Sequence, residues 1–349
     1  MRTSELSSHV GLRGRALRDL ASAERLLPEW SGLWFRCPYA TTFQRPEWLL
    51  AWMQSFEPSQ PLLIEVRYND RLVGVAPLLI YQSGSEKVLA LMGGGISDYL
   101  DVLVDPHFTD ETLTFIWDQV NKEPGWTTLD LTDLRSASPL LHQRPGDWNF
   151  NQTVHDVCSG LPLPSKVEEL KTVLPFRLLR NLRNSRNRLQ RAGDLDIEIA
   201  TRETLPLFLD SLFNLHGRRW ALAGQPGVLS DTAIRSFHKR VAPQLLDQSI
   251  LRLYGLRLNG SFIASLYTLF EHDTASCYLQ GFDPEYAHFS PGAQLLSAVI
   301  FDATREGKRR ADFLRGSEPY KHHWGASEVP TFRIQARRRP RLDATSNAA

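Results

Sequence analysis

The feature that most constrains this chain is a hairpin signature that occurs twice. PLLIEVRY (61–68) and RLVGVAPLLIY (71–81) are rich in branched aliphatics and flank Asn69-Asp70, a two-residue turn pair. SILRLYGLRL (249–258) and SFIASLYTLF (261–270) flank Asn259-Gly260 in the same way. Superposing Asn69 on Asn259, 190 residues later, also aligns Leu63 with Leu253, Arg67 with Arg257 and Val73 with Ile263. A helical pattern precedes each hairpin: PEWLLAWMQSF (46–56), opened by proline, and FLDSLFNLHGRRWALAG (208–224), stopped by glycine. Solenoid repeats are far shorter than this separation, so the pattern predicts a duplicated domain.

The elements after each hairpin set the fold class. After the first come a strand at 99–104, a capped helix at 109–120 and a strand at 127–134; after the second, a strand at 274–282, a helix at 290–307 and a strand at 310–316. This order predicts a mixed α/β fold. The divisions it suggests are a helical or flexible lead-in (1–39), a first domain (40–160), a basic connecting helix (161–194), a second domain (195–332) and a tail (333–349) that lacks periodicity and is expected to be disordered.

Charge is balanced, 40 Lys+Arg against 39 Asp+Glu, so nothing global recruits DNA, other nucleic acid or an anionic membrane. Cys37, Cys158 and Cys277 are too few and too scattered for a disulfide framework or a CxxC metal site, which fits a reducing cytoplasm. No apolar run approaches the roughly 18 residues of a membrane span, and no secretory signal is read at the start. The exception to charge balance is 174–193, LPFRLLRNLRNSRNRLQRAG. It holds Arg177, Arg180, Arg183, Arg186, Arg188 and Arg191, Lys171 precedes it, and no acid occurs from Leu170 to Gly193. Leu178, Leu182 and Leu189 mark a narrow apolar stripe; the rest is a basic surface, open either to solvent or to an anionic polymer, tRNA phosphates or a CoA phosphate.

Two segments carry candidate chemistry. In YLQGFDPEYAHFSPGAQLL (278–296) a strand and loop lead into a helix with Gly292 in its first turn, where free amides and the helix dipole suit a phosphate; the same residues also read as an ordinary proline-led helix start. SEPYKHHWG (317–325) follows a strand and gathers Glu318, Tyr320, Lys321, His322 and His323, although neighbouring histidines on an extended segment would face opposite ways. Asp98 and Asp101 have opposite parity on the expected strand, so they are not read as a paired-carboxylate site. His216 and Trp220 fit helix packing. No HExxH, paired Cys/His or GxSxG occurs, so no metal site and no α/β-hydrolase is expected.

Five blocks in order, GISDYLDVLV (95–104), LRNLRNSRNRLQRAG, LHGRRWALAG (215–224), the 278–296 segment and FLRGSEPYKHHWG (313–325), resemble the CelD/BcsL-type acetyltransferases, a GNAT-related group associated with cellulose and exopolysaccharide biosynthesis. The resemblance implies tandem GNAT-like domains, as in the FemABX transferases, and acetyl-CoA or another acyl-CoA as donor. The usual pyrophosphate loop falls on His288 to Ala293, with His288 in place of Arg or Gln and Pro291 in place of the first glycine. On this reading Gln280, His288, Ser290, Gly292 and Ala293 bind the cofactor, and Glu318, Tyr320, Lys321 and Asp98 serve catalysis in a cleft. The implied acceptor is a small molecule or saccharide, with polysaccharide-synthesis machinery as partner. Two alternatives stay open: a Fem-like transferase using aminoacyl-tRNA, for which Tyr320-Lys321 and Trp324-Gly325 match the family's ending, and a non-catalytic scaffold.

Overall fold

The computed structural model describes residues 11–145 and 148–338. They form two compact units. The first holds residues up to Met53, Glu57–His155 and those from Thr331 onward; the second holds Gln54–Phe56 and Asp156–Pro330.

In the first unit the elements run β1 (Leu12–Leu17), α1 (Leu20–Glu24), α2 (Leu27–Arg36), α3 (Pro46–Phe56), β2 (Pro61–Tyr68), β3 (Arg71–Ser83), β4 (Glu86–Leu91), β5 (Leu103–Val104), α4 (Thr109–Lys122) and β6 (Thr128–Leu134). β1 to β4 pair antiparallel in order, and β6 joins β4 in parallel after the α4 crossover. Ile116, Trp117 and Val120 of α4 lie in one apolar core with Leu78, Leu89 and Leu129 of the sheet. At the β2–β3 turn Asn69 and Asp70 both have positive φ, 45° and 68°, as a type I′ hairpin turn requires. Two expectations are corrected. The lead-in contributes β1, whose Leu12 sits opposite Tyr68 and whose Leu17 sits opposite Leu63. The strand expected over 99–104 shrinks to Leu103–Val104, because Asp101 turns inward instead of alternating: its carboxylate accepts from the Ser138 hydroxyl and the Val102 amide, both at 2.8 Å, and burial pushes its pKa up to about 7.

The second unit begins within β7 (Phe150–Pro162) and continues through α5 (Leu170–Val173), α6 (Phe176–Ala192), β8 (Leu195–Ile199), α7 (Leu205–Leu222), α8 (Thr232–Asp247), β9 (Leu251–Leu258), β10 (Ser261–Glu271), β11 (Thr274–Phe282), α9 (Pro291–Arg305), β12 (Arg310–Arg315) and α10 (Pro319–His323); the last strand of the chain is β13 (Ser327–Arg337). β8, β9, β10 and β11 pair antiparallel in order, β12 joins β11 in parallel after the α9 crossover, and β7 pairs with β12. Each unit is thus three antiparallel pairings followed by a helical crossover to a parallel strand. The two hairpins repeat even a side-chain contact. Arg67 donates to the Asp70 carbonyl at 2.6 Å, and its counterpart Arg257 donates to the Gly260 carbonyl at 2.8 Å. Asn259 and Gly260 also share the positive φ of the first turn.

The tail expectation is overturned in part. Phe332, Ile334 and Ala336 alternate inward against β6 while Arg333, Gln335 and Arg337 alternate outward, so residues through Arg337 are strand; 339–349 lie outside the described residues. Arg333 grips Asp130 with two hydrogen bonds of 2.7 Å. A chain ending at Pro330 should therefore lose thermal stability in its first unit, because an edge of β6 and the apolar side chains beneath it become exposed. Melting curves of the truncated and full chains check this, and superimposable curves would show that the strand adds nothing.

Candidate functional site

The parallel pairing of β11 with β12 extends only from Thr274–Ser276 to Arg310–Asp312; beyond it the strands separate. A cleft of about 650 Å³ lies among the residues past that parting. Its walls come from four other pieces of the same unit: Arg177, Asn181 and Ser185 of α6, Arg219 of α7, the start of α9 and the α10 segment, with Gln280 and Phe282 of β11.

The entry to α9 is held from several sides. Asp283 caps the short helical turn at 284–289 by accepting from the Glu285 amide at 3.0 Å, and Arg218 binds Asp283 and Glu285 at 2.5 and 3.3 Å. Ser290 adopts a left-handed conformation (φ 50°, ψ 51°), which reverses the chain into Pro291. The Ser185 hydroxyl donates to the Phe289 carbonyl, and the Gln294 amide donates to the Leu182 carbonyl at 3.0 Å, so α6 and the start of α9 are fastened together. The nearest atoms to a Cβ added at Gly292 would be those of the Gln280 amide group, at 3.6 to 3.8 Å, in ordinary contact. Pro291 has no N–H and that of Ala293 bonds to the Ser290 carbonyl, so this helix start presents fewer free amides than usual. Positive charge comes instead from side chains. It is that of Arg177 and Arg219; His322 and His323 also line the cleft, and the lining among the described residues includes no Asp or Glu, although His322 Nε2 lies 3.3 Å from the Glu328 carboxylate.

Gln280, Ser290, Gly292 and Ala293, expected to act together, do share this cleft; His288 is exposed, its ring tilted 40° against that of Phe289 at 3.9 Å, and is not in the lining. Tyr320 lines it, and burial raises its phenol well above the ordinary range, keeping the proton on. The expectation that Lys321 projects into the cleft is overturned. Its side chain is 1% exposed, and its ammonium donates to the carbonyls of Leu314, Arg315 and Gly316 at 3.0, 2.7 and 3.0 Å and pairs with Glu318 at 2.9 Å. Leu314 and Gly316 reach this position with positive φ, 59° and 103°. Glu318 is thereby taken up by Lys321 and is likewise absent from the lining. Residues 319–323 are helical, not extended, so His322 and His323 are about 100° apart and both reach the cleft, which the strand-like reading excluded. Asp98 belongs to the first unit, half-buried in a bend. His216 is buried, with the bare α-carbon of Gly281 against its backbone, as packing required. Arg219, Asn181 and Ser185 were missed. Asn181 and Ser185, four apart among arginines, were the available signal.

Burial pushes the Cys37 and Cys277 thiols up to about 12, which disfavours thiolate nucleophiles there. Among the described residues no group of His, Cys, Asp and Glu could hold a metal, and no helix is long and apolar enough to cross a membrane.

Residues 177–322 match the family described as acetyltransferase (GNAT) domain, so the match starts in the basic helix read above as a connector. Among curated proteins no match was found. The fold is similar to that of FemX (TM-score 0.64, 13% identity, 88% of this chain and 95% of that chain covered). It is also similar to the C-terminal domain of a putative lysylphosphatidylglycerol synthetase from Agrobacterium fabrum (TM-score 0.57, 11% identity, 92% of each chain) and to L-PGS from Bacillus licheniformis (TM-score 0.57, 11% identity, 93% of each). At these identities the likeness is one of fold. The protein is of mixed α/β class with a GNAT-like fold, and the segment that matches the acetyltransferase (GNAT) domain lies in its second unit.

Lys321→Met keeps much of the stem but strands three carbonyls, each of which costs about 1–3 kcal/mol when buried unpaired. Thermal unfolding of the variant should begin well below that of the parent. An unchanged melting curve would return Lys321 to the list of chemical candidates.

Proposed function

We propose that the second unit is an acyltransferase that moves an acetyl or longer acyl group from acyl-CoA to an amine or hydroxyl of a small-molecule or saccharide acceptor. The observation that carries this reading is the cleft at the parted strands, lined by the start of α9 and by Tyr320, within a segment matching the acetyltransferase (GNAT) domain. Arg177 and Arg219 would supply the charge complement for the donor's phosphates that the amide-poor start of α9 lacks.

Transfer proceeds directly. The acceptor's nitrogen or oxygen attacks the thioester carbonyl, its proton passes to His322 or His323, the C–S bond breaks, and the neutral Tyr320 hydroxyl protonates the departing thiolate. We assign the base to a cleft histidine in place of Glu318, whose carboxylate Lys321 occupies. Glu318 then acts by holding α10 in place. The resemblance to CelD/BcsL-type enzymes supports polysaccharide or cell-envelope assembly as the setting, and free buried cysteines suit a cytoplasmic location.

Isothermal titration with acetyl-CoA and longer acyl-CoAs tests the donor. Silence with all of them, together with binding of a charged tRNA, would replace acyl-CoA by the Fem-like donor. Gly292→Val, whose bulk enters the cleft without touching backbone, should raise the acyl-CoA Kd at least about tenfold at unchanged melting temperature. Tyr320→Phe should instead leave Kd near normal and lower kcat by about 10²- to 10⁴-fold. Full turnover by Tyr320→Phe would remove it as the acid.

A further inference from the structure

α6 is costly to build as an isolated helix. It has no side-chain cap and no acid in its first turn, and its arginines at 177, 180, 183 and 186 repeat at i,i+3, a spacing at which like charges repel. No carboxylate offsets this, because none occurs from Leu170 to Gly193, and none of the six arginines forms an ion pair with a described residue; Arg188 alone is occupied, lying over the Phe289 ring at 4.9 Å. The helix is held by Leu182 and Leu189, which are buried in the core of the second unit. On the opposite side Phe176, Arg180, Arg183, Asn187 and Arg191 recur at i, i+4, i+7, i+11 and i+15 and so share one outward face. Phe176 is 79% exposed, and Val173, in the turn before it, is 37% exposed.

We propose that this outward face docks the protein on an anionic lipid bilayer. The helix carries six arginines, three of them on this face, within the roughly four to eight cations at which an amphipathic helix binds anionic lipid, and the guanidinium groups supply the lipid phosphates with the partners the protein withholds. Phe176 and Val173 add apolar side chains that the interfacial zone of a bilayer accommodates and that a phosphate backbone does not use. The charge balance of the whole chain, +1, steers it to neither a bilayer nor a nucleic acid, so the exposed Phe176 beside the arginines is what favours the bilayer. Arg177 and Asn181 on the flank of the same helix line the cleft, so docking would bring the cleft near the lipid surface. The inference is independent of the acyl donor.

The test is co-sedimentation of the full chain with vesicles of phosphatidylcholine alone or with roughly a third phosphatidylglycerol, at low and high salt. The protein should pellet with the anionic vesicles, stay in solution with the neutral ones, and be released by salt. R180Q/R183Q/R191Q spares every cleft residue and keeps good helix formers; it should weaken binding on the order of a hundredfold at an unchanged melting temperature. Phe176→Ser should lower the fraction that resists salt. Equal partition onto both vesicles, no binding to either, or undiminished binding by the folded triple variant would overturn the proposal. So would displacement from the vesicles by poly(U) RNA at lower phosphate concentration, which would assign the face to nucleic acid. If the triple variant fails to fold, R180Q and R191Q singly carry the same comparison.

Discussion

The site depends on where two strands stop pairing. β11 and β12 are in register over three residues and then part, and the cleft of about 650 Å³ opens there. The backbone of β11 stays in order past that point because its other side remains paired with β10, from Leu279 opposite Tyr267 to Phe282 opposite Ala264. One edge of the strand therefore serves the sheet and the other is left to the cleft. The Gln280 carbonyl on that stretch accepts from Arg219 at 3.4 Å, a reach long enough to yield to a better partner.

Holding the far wall in place is the task of an ammonium group. Lys321 lies inside a half-ring of three carbonyls, and the backbone takes positive φ at Leu314 and Gly316 to form it. Burying such a group is tolerable only when each of its protons finds an oxygen, and here four oxygens serve three protons. α10, with Tyr320, His322 and His323, is thus anchored by its own middle residue, and the Glu318 carboxylate is part of that anchor.

Much of the fold was legible because hairpin turns and glycine stops are local. Asn69-Asp70 and Asn259-Gly260 state their geometry in two residues, and the crossover helices state theirs in apolar spacing. The cleft was half legible: the start of α9 is contiguous in sequence, whereas Arg219 and Ser185 reach it only through tertiary packing. Lys321 and Glu318 were misplaced because titratable side chains look alike in sequence whether they face a ligand or bind backbone. β13 was missed for a different reason. Its alternation of Phe332, Ile334 and Ala336 is regular, but the polar Arg333, Gln335 and Arg337 fill the intervening positions and mask it.

The last strand also sets an order of assembly. The second unit is complete, apart from Gln54–Phe56, within the unbroken stretch Asp156–Pro330, while the first unit needs residues from Thr331 onward, which are made after it. At roughly 5–20 residues per second, β6 waits at least about ten seconds after its own synthesis for its neighbour β13. The half of the chain made first is thus the half finished last. During that interval its open edge is the part of the nascent protein most exposed to mispairing, and the outward arginines of β13 flank the same edge once it is filled.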